Sequence, residues 1–173
     1  MLQLVSALLV AYSYFQIRTN LPHLPARIPT HFNGSGAADG WGSPDTLWFL
    51  LGVQVLTWGV FVVVPYLGQR FPGMVHLGTR RLSDYSPAQR ARILPLLNDM
   101  TGCMCIVMNL FFVWMLKGMI NAAKQPIPHI QVFGPLALLI GGMLGITLYY
   151  LARFRRAAQS SGDDGDTSGE VTP

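Results

Sequence analysis

The chain has 173 residues, a net charge of +4 and only 12% charged residues, and none of its charges falls within four long apolar stretches, residues 1–17, 47–67, 100–116 and 132–152. A soluble domain carries about 25% charged residues spread along its elements, so this segregation excludes an ordinary soluble core. Soluble enzyme folds built on sheets are excluded as well, because the chain lacks their alternating strand and amphipathic-helix patterns.

The four apolar stretches predict an all-α membrane protein with four transmembrane helices. A helix needs about 17 to 25 mostly apolar residues to cross a hydrocarbon layer about 30 Å thick. We expect a membrane domain over residues 1–155, with spans at about residues 1–17, 47–67, 96–118 and 132–152. Residues 156–173 are rich in Gly, Ser and Asp, which predicts a disordered cytoplasmic tail.

The positions of Lys and Arg predict the orientation, because basic residues are retained on the cytoplasmic side. Eight of the twelve lie in the second loop or at the start of the tail: Arg70, Arg80, Arg81, Arg90, Arg92, Arg153, Arg155 and Arg156. We therefore expect a multi-pass protein of the cytoplasmic (inner) membrane, with the N and C termini inside and the first loop outside. Because these residues lie beside membrane ends, they favour the lipid bilayer as a partner and argue against nucleic acid.

The outer loop, residues 20–45, is rich in Pro and Gly and has a defined pattern. Its first half contains the structural prolines Pro22, Pro25 and Pro29, which predict an extended backbone. Its second half contains the structural glycines Gly34, Gly36, Gly40 and Gly42, which allow the chain to reverse. The pair Asn33-Gly34 is typical of a tight turn and predicts a short strand pair around it.

Four residues of this loop are candidates for ligand binding: His31, Asn33, Asp39 and Trp41. Three interpretations stay open. Asn33 and Asp39 could cap turns while His31 bonds a carbonyl, which would make the loop a brace for the spans. All four could form a recognition surface for an extracytoplasmic ligand. His31 and Asp39 could also act as a base or as metal ligands, but two ligands are too few to predict a metal site.

The polar residues of the third span share one helix face. Asn98 and Asn109 are the candidate packing residues, with Thr101, Gly102 and Cys105 between them at three- and four-residue steps. Polar groups facing lipid are costly, so this face predicts hydrogen bonds between helices, with a ligand or ion pathway as the alternative. We also expect a capped helix start at Ser86, whose side chain can pair with the backbone of Gln89.

On the fourth span, Gly141 and Gly145 continue a ladder of small residues that begins at Ala137. Such a ladder lets another helix approach closely, within the chain or in a homodimer. Cys103 and Cys105 diverge around their helix, which predicts free thiols. The familiar phosphate-binding, hydrolase and metalloprotease motifs are absent, so we expect no enzyme, no catalytic residue, no metal and no cofactor.

The outer loop also carries a family resemblance. Leu21-Pro22, Ile28-Pro29-Thr30-His31-Phe32-Asn33, Gly36, Asp39 and Gly40-Trp41-Gly42-Ser43 resemble the signature of a bacterial and archaeal family of membrane proteins of unknown function. Counted from the second Leu-Pro pair, Leu24-Pro25, the signature reads LPxxIPTHFNxxGxxDGWGS and resembles that of a family related to the immunity protein SdpI. The basic helix start at residues 82–119, which runs into a span, also looks like short members of that family.

The resemblance implies a polytopic cell-membrane protein of SdpI-like type. Its expected role is non-enzymatic: sensing of, or immunity to, a peptide or envelope ligand bound through the outer loop, with a cytoplasmic regulator as a further partner. The alternative is a membrane enzyme or small transporter that uses His31, Asp39 and the polar face of the third span. Its test is whether these groups face one cavity.

Overall fold

The computed structural model describes residues 1–77 and 80–159, most of which lie in four α-helices. The helices are α1 (Leu2–Asn20), α2 (Thr46–Arg70), α3 (Pro87–Ala122) and α4 (Phe133–Gln159). Antiparallel strands β1 (Ile28–Phe32) and β2 (Ala38–Gly42) form a hairpin between α1 and α2. A second small pair, β3 (His76–Leu77) and β4 (Arg80–Arg81), lies between α2 and α3.

The strand pairs correct the all-α prediction in the connections between helices. The hairpin is confirmed where Asn33-Gly34 predicted a strand pair. Strand β1 does not alternate regularly: Ile28 and Pro29 are both buried, whereas His31 is exposed. The pairing register shifts on either side of His31, which is typical of a β-bulge.

Helix α3 is the central element of the bundle. It packs against α1, α2 and α4, and α1 also packs against α2. With 36 residues it is about 54 Å long, which exceeds the roughly 30 Å of a hydrocarbon layer. The helix start is capped as predicted: the backbone N–H of Gln89 donates to Ser86 Oγ at 3.2 Å, and the backbone N–H of Ser86 donates to Gln89 Oε1 at 3.0 Å.

Three of the helices, α2, α3 and α4, are long and apolar enough to cross a membrane, which is typical of a multi-pass membrane protein. Only 6% of the apolar 18-residue segment of α4 is buried inside the chain, so most of the Leu and Ile side chains of this helix face outward. Helix α1 is less apolar because Gln3, Gln16 and Arg18 fall within its length. Its membrane crossing, and thus the four-span count, stays a prediction.

Polar side chains occupy the interior of the bundle. Gln54 Nε2 on α2 donates to Asn109 Oδ1 on α3 at 3.0 Å, and both side chains are fully buried. Asn109 Nδ2 also donates to the carbonyl oxygen of Cys105 at 2.9 Å. The packing interpretation of Asn109 therefore agrees with the contacts that its side chain makes.

Asn98 does not share that environment. Its side chain is exposed, whereas Thr101, Gly102, Cys105 and Asn109 are buried. The structure therefore does not place Asn98 in the interior of the bundle; it lines an open cleft beside Leu2 and Gln3 at the start of α1.

The glycine ladder of α4 also lies differently from the internal-packing expectation. A side chain at Gly141 or Gly145 would meet no atom within 4 Å, so neither glycine faces a helix of this chain. Gly142 packs against α3 instead, since a Cβ there would lie 3.3 Å from Val107 Cγ1. The α3-facing side of α4 is therefore rotated away from the ladder.

The boundary of the tail shifts as well. Residues 156–159, assigned to the disordered tail by composition, continue helix α4 to Gln159. The rest of that predicted tail, residues 160–173, lies outside the described residues.

Candidate functional site

The outer loop leaves α1 through a helical turn before it extends. A short 3-10 turn at Leu21–His23 follows α1 directly, with Pro22 near its first position. Pro22 fits there because proline lacks the N–H that the first turn would leave unpaired. The backbone becomes extended only at Leu24, whose ψ of 148° is the conformation favoured before a proline such as Pro25. The predicted extension therefore starts later than the sequence pattern suggested.

The two faces of the hairpin have different roles. Ile28 is fully buried in a cluster with Ile17, Leu47 and Leu116, and Phe32 packs against the same cluster. These contacts fix the hairpin to the ends of α1, α2 and α3. His31, Asp39 and Trp41 are exposed. Three of the four candidate ligand-binding residues therefore face solvent, and two of them, His31 and Asp39, contact each other.

The fourth candidate, Asn33, builds the turn. Its side-chain oxygen accepts hydrogen bonds from the backbone N–H of Ser35 at 3.0 Å, the hydroxyl of Ser35 at 2.7 Å and the backbone N–H of Ala37 at 3.1 Å. Its own N–H donates to the carbonyl oxygen of Ala37 at 2.9 Å. An oxygen with three donors has little capacity left for a ligand. Asn33 thus follows the structural interpretation.

The connection between α3 and α4 holds the tip of the hairpin. The N–H of Ile130 donates to the carbonyl oxygen of Gly36 at 2.9 Å, and the N–H of Ala38 donates to that of Pro128 at 3.2 Å. His129 Nε2 lies 2.9 Å from the carbonyl oxygen of Ser35. Ala37 and His129 therefore form a single antiparallel bridge between the turn and residues 128–130. The sequence pattern did not predict this contact, although Pro126 and Pro128 are typical of an extended segment.

Close approach of a neighbouring segment explains three of the four predicted structural glycines: the neighbour is a backbone atom at Gly36 and a side-chain atom at Gly40 and Gly42. Gly36 has a φ of +91°, and a Cβ there would lie 2.0 Å from the carbonyl oxygen of Ile130. A Cβ at Gly40 would lie 2.7 Å from His31 Cβ, and one at Gly42 would lie 3.0 Å from Thr30 Cγ2. A Cβ at Gly34 would meet nothing within 4 Å. The turn therefore requires glycine at position 36, whereas the Asn33-Gly34 pattern pointed to position 34.

His31 and Asp39 meet across the hairpin. His31 Nδ1 lies 2.5 Å from Asp39 Oδ1, with the side chains 73% and 44% exposed. An ionised carboxylate can only accept hydrogen bonds, so Nδ1 carries the hydrogen and Nε2 remains available at the exposed side of the ring. The carboxylate thereby fixes the direction in which His31 presents Nε2.

This arrangement is suited to recognition through one oriented imidazole. Trp41 lies two residues after Asp39 on the same strand and is 46% exposed, so the hairpin also presents a large apolar side chain to its surroundings. The nearest polar neighbours along the turn, Asn33 and Ser35, already bond to each other. Among the residues that the structure describes, no three His, Cys, Asp or Glu side chains form a group able to hold a metal ion.

An apolar layer separates the exposed pair from the buried polar pair of the bundle. On α2, Leu47 and Leu51 lie between the hairpin and Gln54; on α3, Met119 and Leu116 precede Asn109 when the helix is followed from the hairpin end. All four apolar residues belong to the cluster beneath the hairpin. The two polar sites therefore lie at different depths of the molecule.

Comparison with known families gives one match. Residues 4–55 match a family described only as a domain of unknown function (DUF1648). Neither the curated proteins nor the solved structures yielded a match. The matched segment contains α1, the hairpin and the first part of α2. The chain is therefore similar to an uncharacterised family over the segment that holds the His31–Asp39 pair.

Proposed function

We propose that this chain is a four-span protein of the cytoplasmic membrane that binds an extracytoplasmic peptide or envelope ligand through its hairpin. The observation that carries the proposal is the His31–Asp39 pair, an oriented imidazole on an exposed face that is anchored on the opposite side by Ile28. A ligand with a hydrogen-bonding group for Nε2 and an apolar group for Trp41 would fit this surface.

The proposed fourth span is α1. Its 19 residues are about 28 Å long, close to the thickness of a hydrocarbon layer. Its exposed side chains include Leu4, Leu8 and Phe15, whereas Ser6 and Ser13 are buried. Apolar residues facing outward with small polar residues facing neighbouring helices are typical of packed membrane helices.

The proposed orientation places the hairpin outside and both termini inside. Four basic residues lie toward the hairpin end, Arg18, Arg27, Lys117 and Lys124, whereas the other eight lie toward the opposite end. Retention of basic residues on the cytoplasmic side supports this orientation. It is tested by impermeant thiol labelling of intact cells, with single cysteines at Ser35 or Ser83 in a background lacking Cys103 and Cys105. Labelling at position 83 but not at position 35 would show the opposite orientation and would refute the proposal of an external ligand.

The proposed role is SdpI-like: sensing of, or immunity to, a membrane-active peptide, without catalysis. The support is the signature loop, whose hydrogen-bonded turn and docked tip form a rigid recognition surface. A preformed surface binds at lower cost because less conformational entropy is lost. A cytoplasmic regulator that reads occupancy of the hairpin is part of the same proposal.

The functional test compares His31→Gln and Asp39→Asn with His23→Gln. Cells that produce each variant are challenged with secreted peptides from competing bacteria, and survival is scored against membrane insertion. We expect both hairpin variants to lose protection by tenfold or more, since one good hydrogen bond to a charged group contributes about 1.5 to 3 kcal/mol. His23 is exposed in the same loop but outside the hairpin, so His23→Gln should protect fully. Full protection by the hairpin variants would refute the role of the pair.

A further inference from the structure

We propose that the groove between α3 and α4 binds one anionic phospholipid of the cytoplasmic leaflet, with its phosphate among arginines and one acyl chain between the helices. The proposal uses the orientation given above but not the hairpin or its ligand. It starts from two clefts on the α3–α4 pair, which we call the arginine cleft and the apolar cleft.

The arginine cleft has a volume of about 560 Å³ and lies between the start of α3 and the end of α4. Three arginines, one carboxylate and a few apolar groups line it. They include Arg92, Arg153 and Arg156, the carboxylate of Asp99, and the apolar residues Leu96 and Ala157. Three positive side chains against one negative side chain give the cleft a net positive charge. A phosphate diester complements that charge, and arginine is well suited to bind it through two parallel hydrogen bonds.

The apolar cleft has a volume of about 480 Å³ and lies farther along the same two helices. Its walls come from Val107, Phe111 and Trp114 on α3 and from Leu138 and Gly142 on α4. Gly142 contributes no side chain to the α4 wall of this cleft, so no side chain from that position fills it. An acyl chain is the kind of occupant that such a surface favours at membrane depth.

The two clefts lie on the same side of the helix pair. An α-helix completes five turns in 18 residues, so residues separated by that number point in the same direction. Wall residues of the two clefts pair in this way on both helices: Pro135 with Arg153 and Leu138 with Arg156 on α4, and Arg92 with Leu110 and Leu96 with Trp114 on α3. The two clefts therefore open on the same side of the helix pair.

The distance between the two clefts along α4 matches one leaflet, so a lipid chain from the arginine cleft reaches only the near end of the apolar cleft. From Arg153 to Gly142, α4 rises about 16 Å, which is close to half of a hydrocarbon layer about 30 Å thick. A lipid with its phosphate at the arginine level would therefore place its chain end near Gly142. Arg153 is already oriented at this level, since its Nη1 donates to Tyr149 Oη at 3.3 Å and its Cζ lies 5.8 Å from the centre of the Tyr149 ring.

Arg155 provides a matched control. It lies between the two groove arginines in sequence but lines a different cleft, with His76 and Tyr85, on the other side of α4. Neutralising Arg155 changes the net charge of the helix end as much as neutralising either groove arginine. A diffuse attraction to anionic membranes would respond equally to all three, whereas a built site would not.

The test is lipid retention by the purified full chain in detergent, measured by native mass spectrometry. The probes are dioleoyl phosphatidylglycerol and dioleoyl phosphatidylcholine, which differ in headgroup charge, with glycerol phosphate as a competitor that lacks acyl chains. We expect one retained phosphatidylglycerol and a preference over phosphatidylcholine that falls about fivefold in the Arg153→Gln variant and about fivefold in the Arg156→Gln variant, because each arginine contributes a factor of about five. Arg155→Gln should keep the preference.

Three results would overturn the proposal. Equal retention of the two lipids by the wild-type chain would show no anionic site. An equal loss in Arg155→Gln would show diffuse attraction only. Displacement of the lipid by millimolar glycerol phosphate would show that the phosphate alone accounts for the affinity. It would exclude binding of an acyl chain between α3 and α4. The His31→Gln variant should retain lipid like the wild type, so a failure of the hairpin proposal and a failure here give different results.

Discussion

Replacing Gly36 with alanine should release the tip of the hairpin from the α3–α4 connection. Gly36 has a φ of +91°, where a residue with a Cβ is strained by about 1 to 2 kcal/mol. The added Cβ would also lie 2.0 Å from the carbonyl oxygen of Ile130, so the two segments must separate. Separation breaks the hydrogen bonds from Ile130 N–H to Gly36 and from Ala38 N–H to Pro128, each contributing about 1 kcal/mol. The local cost is therefore about 3 to 4 kcal/mol.

Amide hydrogen exchange of the purified chain measures this cost directly. The amides of Ile130 and Ala38 are protected by the two broken bonds, so their exchange should accelerate by about 100- to 1,000-fold. The helices should keep their protection, because the apolar cluster around Ile17 and Leu116 lies on the other side of the hairpin. The change is thus expected to be local.

Gly34→Ala is the control for this substitution. A Cβ at Gly34 would meet nothing within 4 Å, and Gly34 does not have a positive φ. Alanine there should leave exchange at Ile130 and Ala38 within a factor of a few. The contact between residues 128–130 and the hairpin tip would be refuted if Gly36→Ala kept wild-type protection at both amides. It would also be refuted if Gly34→Ala lost as much protection there as Gly36→Ala.

Two further predictions concern the bundle. Gln54→Leu and Asn109→Leu should each lower the free energy of unfolding by about 1 to 3 kcal/mol, because each leaves a buried polar partner unsatisfied. The double variant should lose less than the sum of the two. Strictly additive losses in a double-mutant cycle, measured by thermal unfolding, would contradict the pairing. Gly142→Leu should lower the Tm, because the new Cβ alone would lie 3.3 Å from Val107, whereas Gly141→Leu places its side chain in open space and should not. Equal Tm values for the two variants would show that the described rotation of α4 against α3 is wrong.

Part of the site could be read from local sequence signals. The hairpin depends on interactions between residues close in the chain, such as the Asn33 side chain and the N–H groups of Ser35 and Ala37, so its existence was predictable. The cap at Ser86 is predictable for the same reason. Asn33 nevertheless appeared among the ligand candidates, because sequence cannot show that its oxygen is already occupied.

Other features depended on contacts between distant segments. The requirement for glycine at position 36 comes from the carbonyl oxygen of Ile130, which is far away in the sequence. The environment of Gly141 and Gly145 depends on how α4 is rotated against α3, and a small-residue ladder fits any close neighbour. Asn98 was assigned to packing by helical periodicity, which identifies a face but not where the neighbouring helix begins to cover it.

By itself the sequence determined that this chain has long apolar helices, a Pro- and Gly-rich hairpin between the first two and basic residues gathered toward one end. These properties follow from composition and short-range spacing, which act before any helix meets another. Only the tertiary structure decided that His31 pairs with Asp39, that Gln54 pairs with Asn109 and that the arginines of α4 divide between two clefts. Those outcomes depend on strand register and on the rotation of each helix about its axis, because a small change in either brings different side chains together.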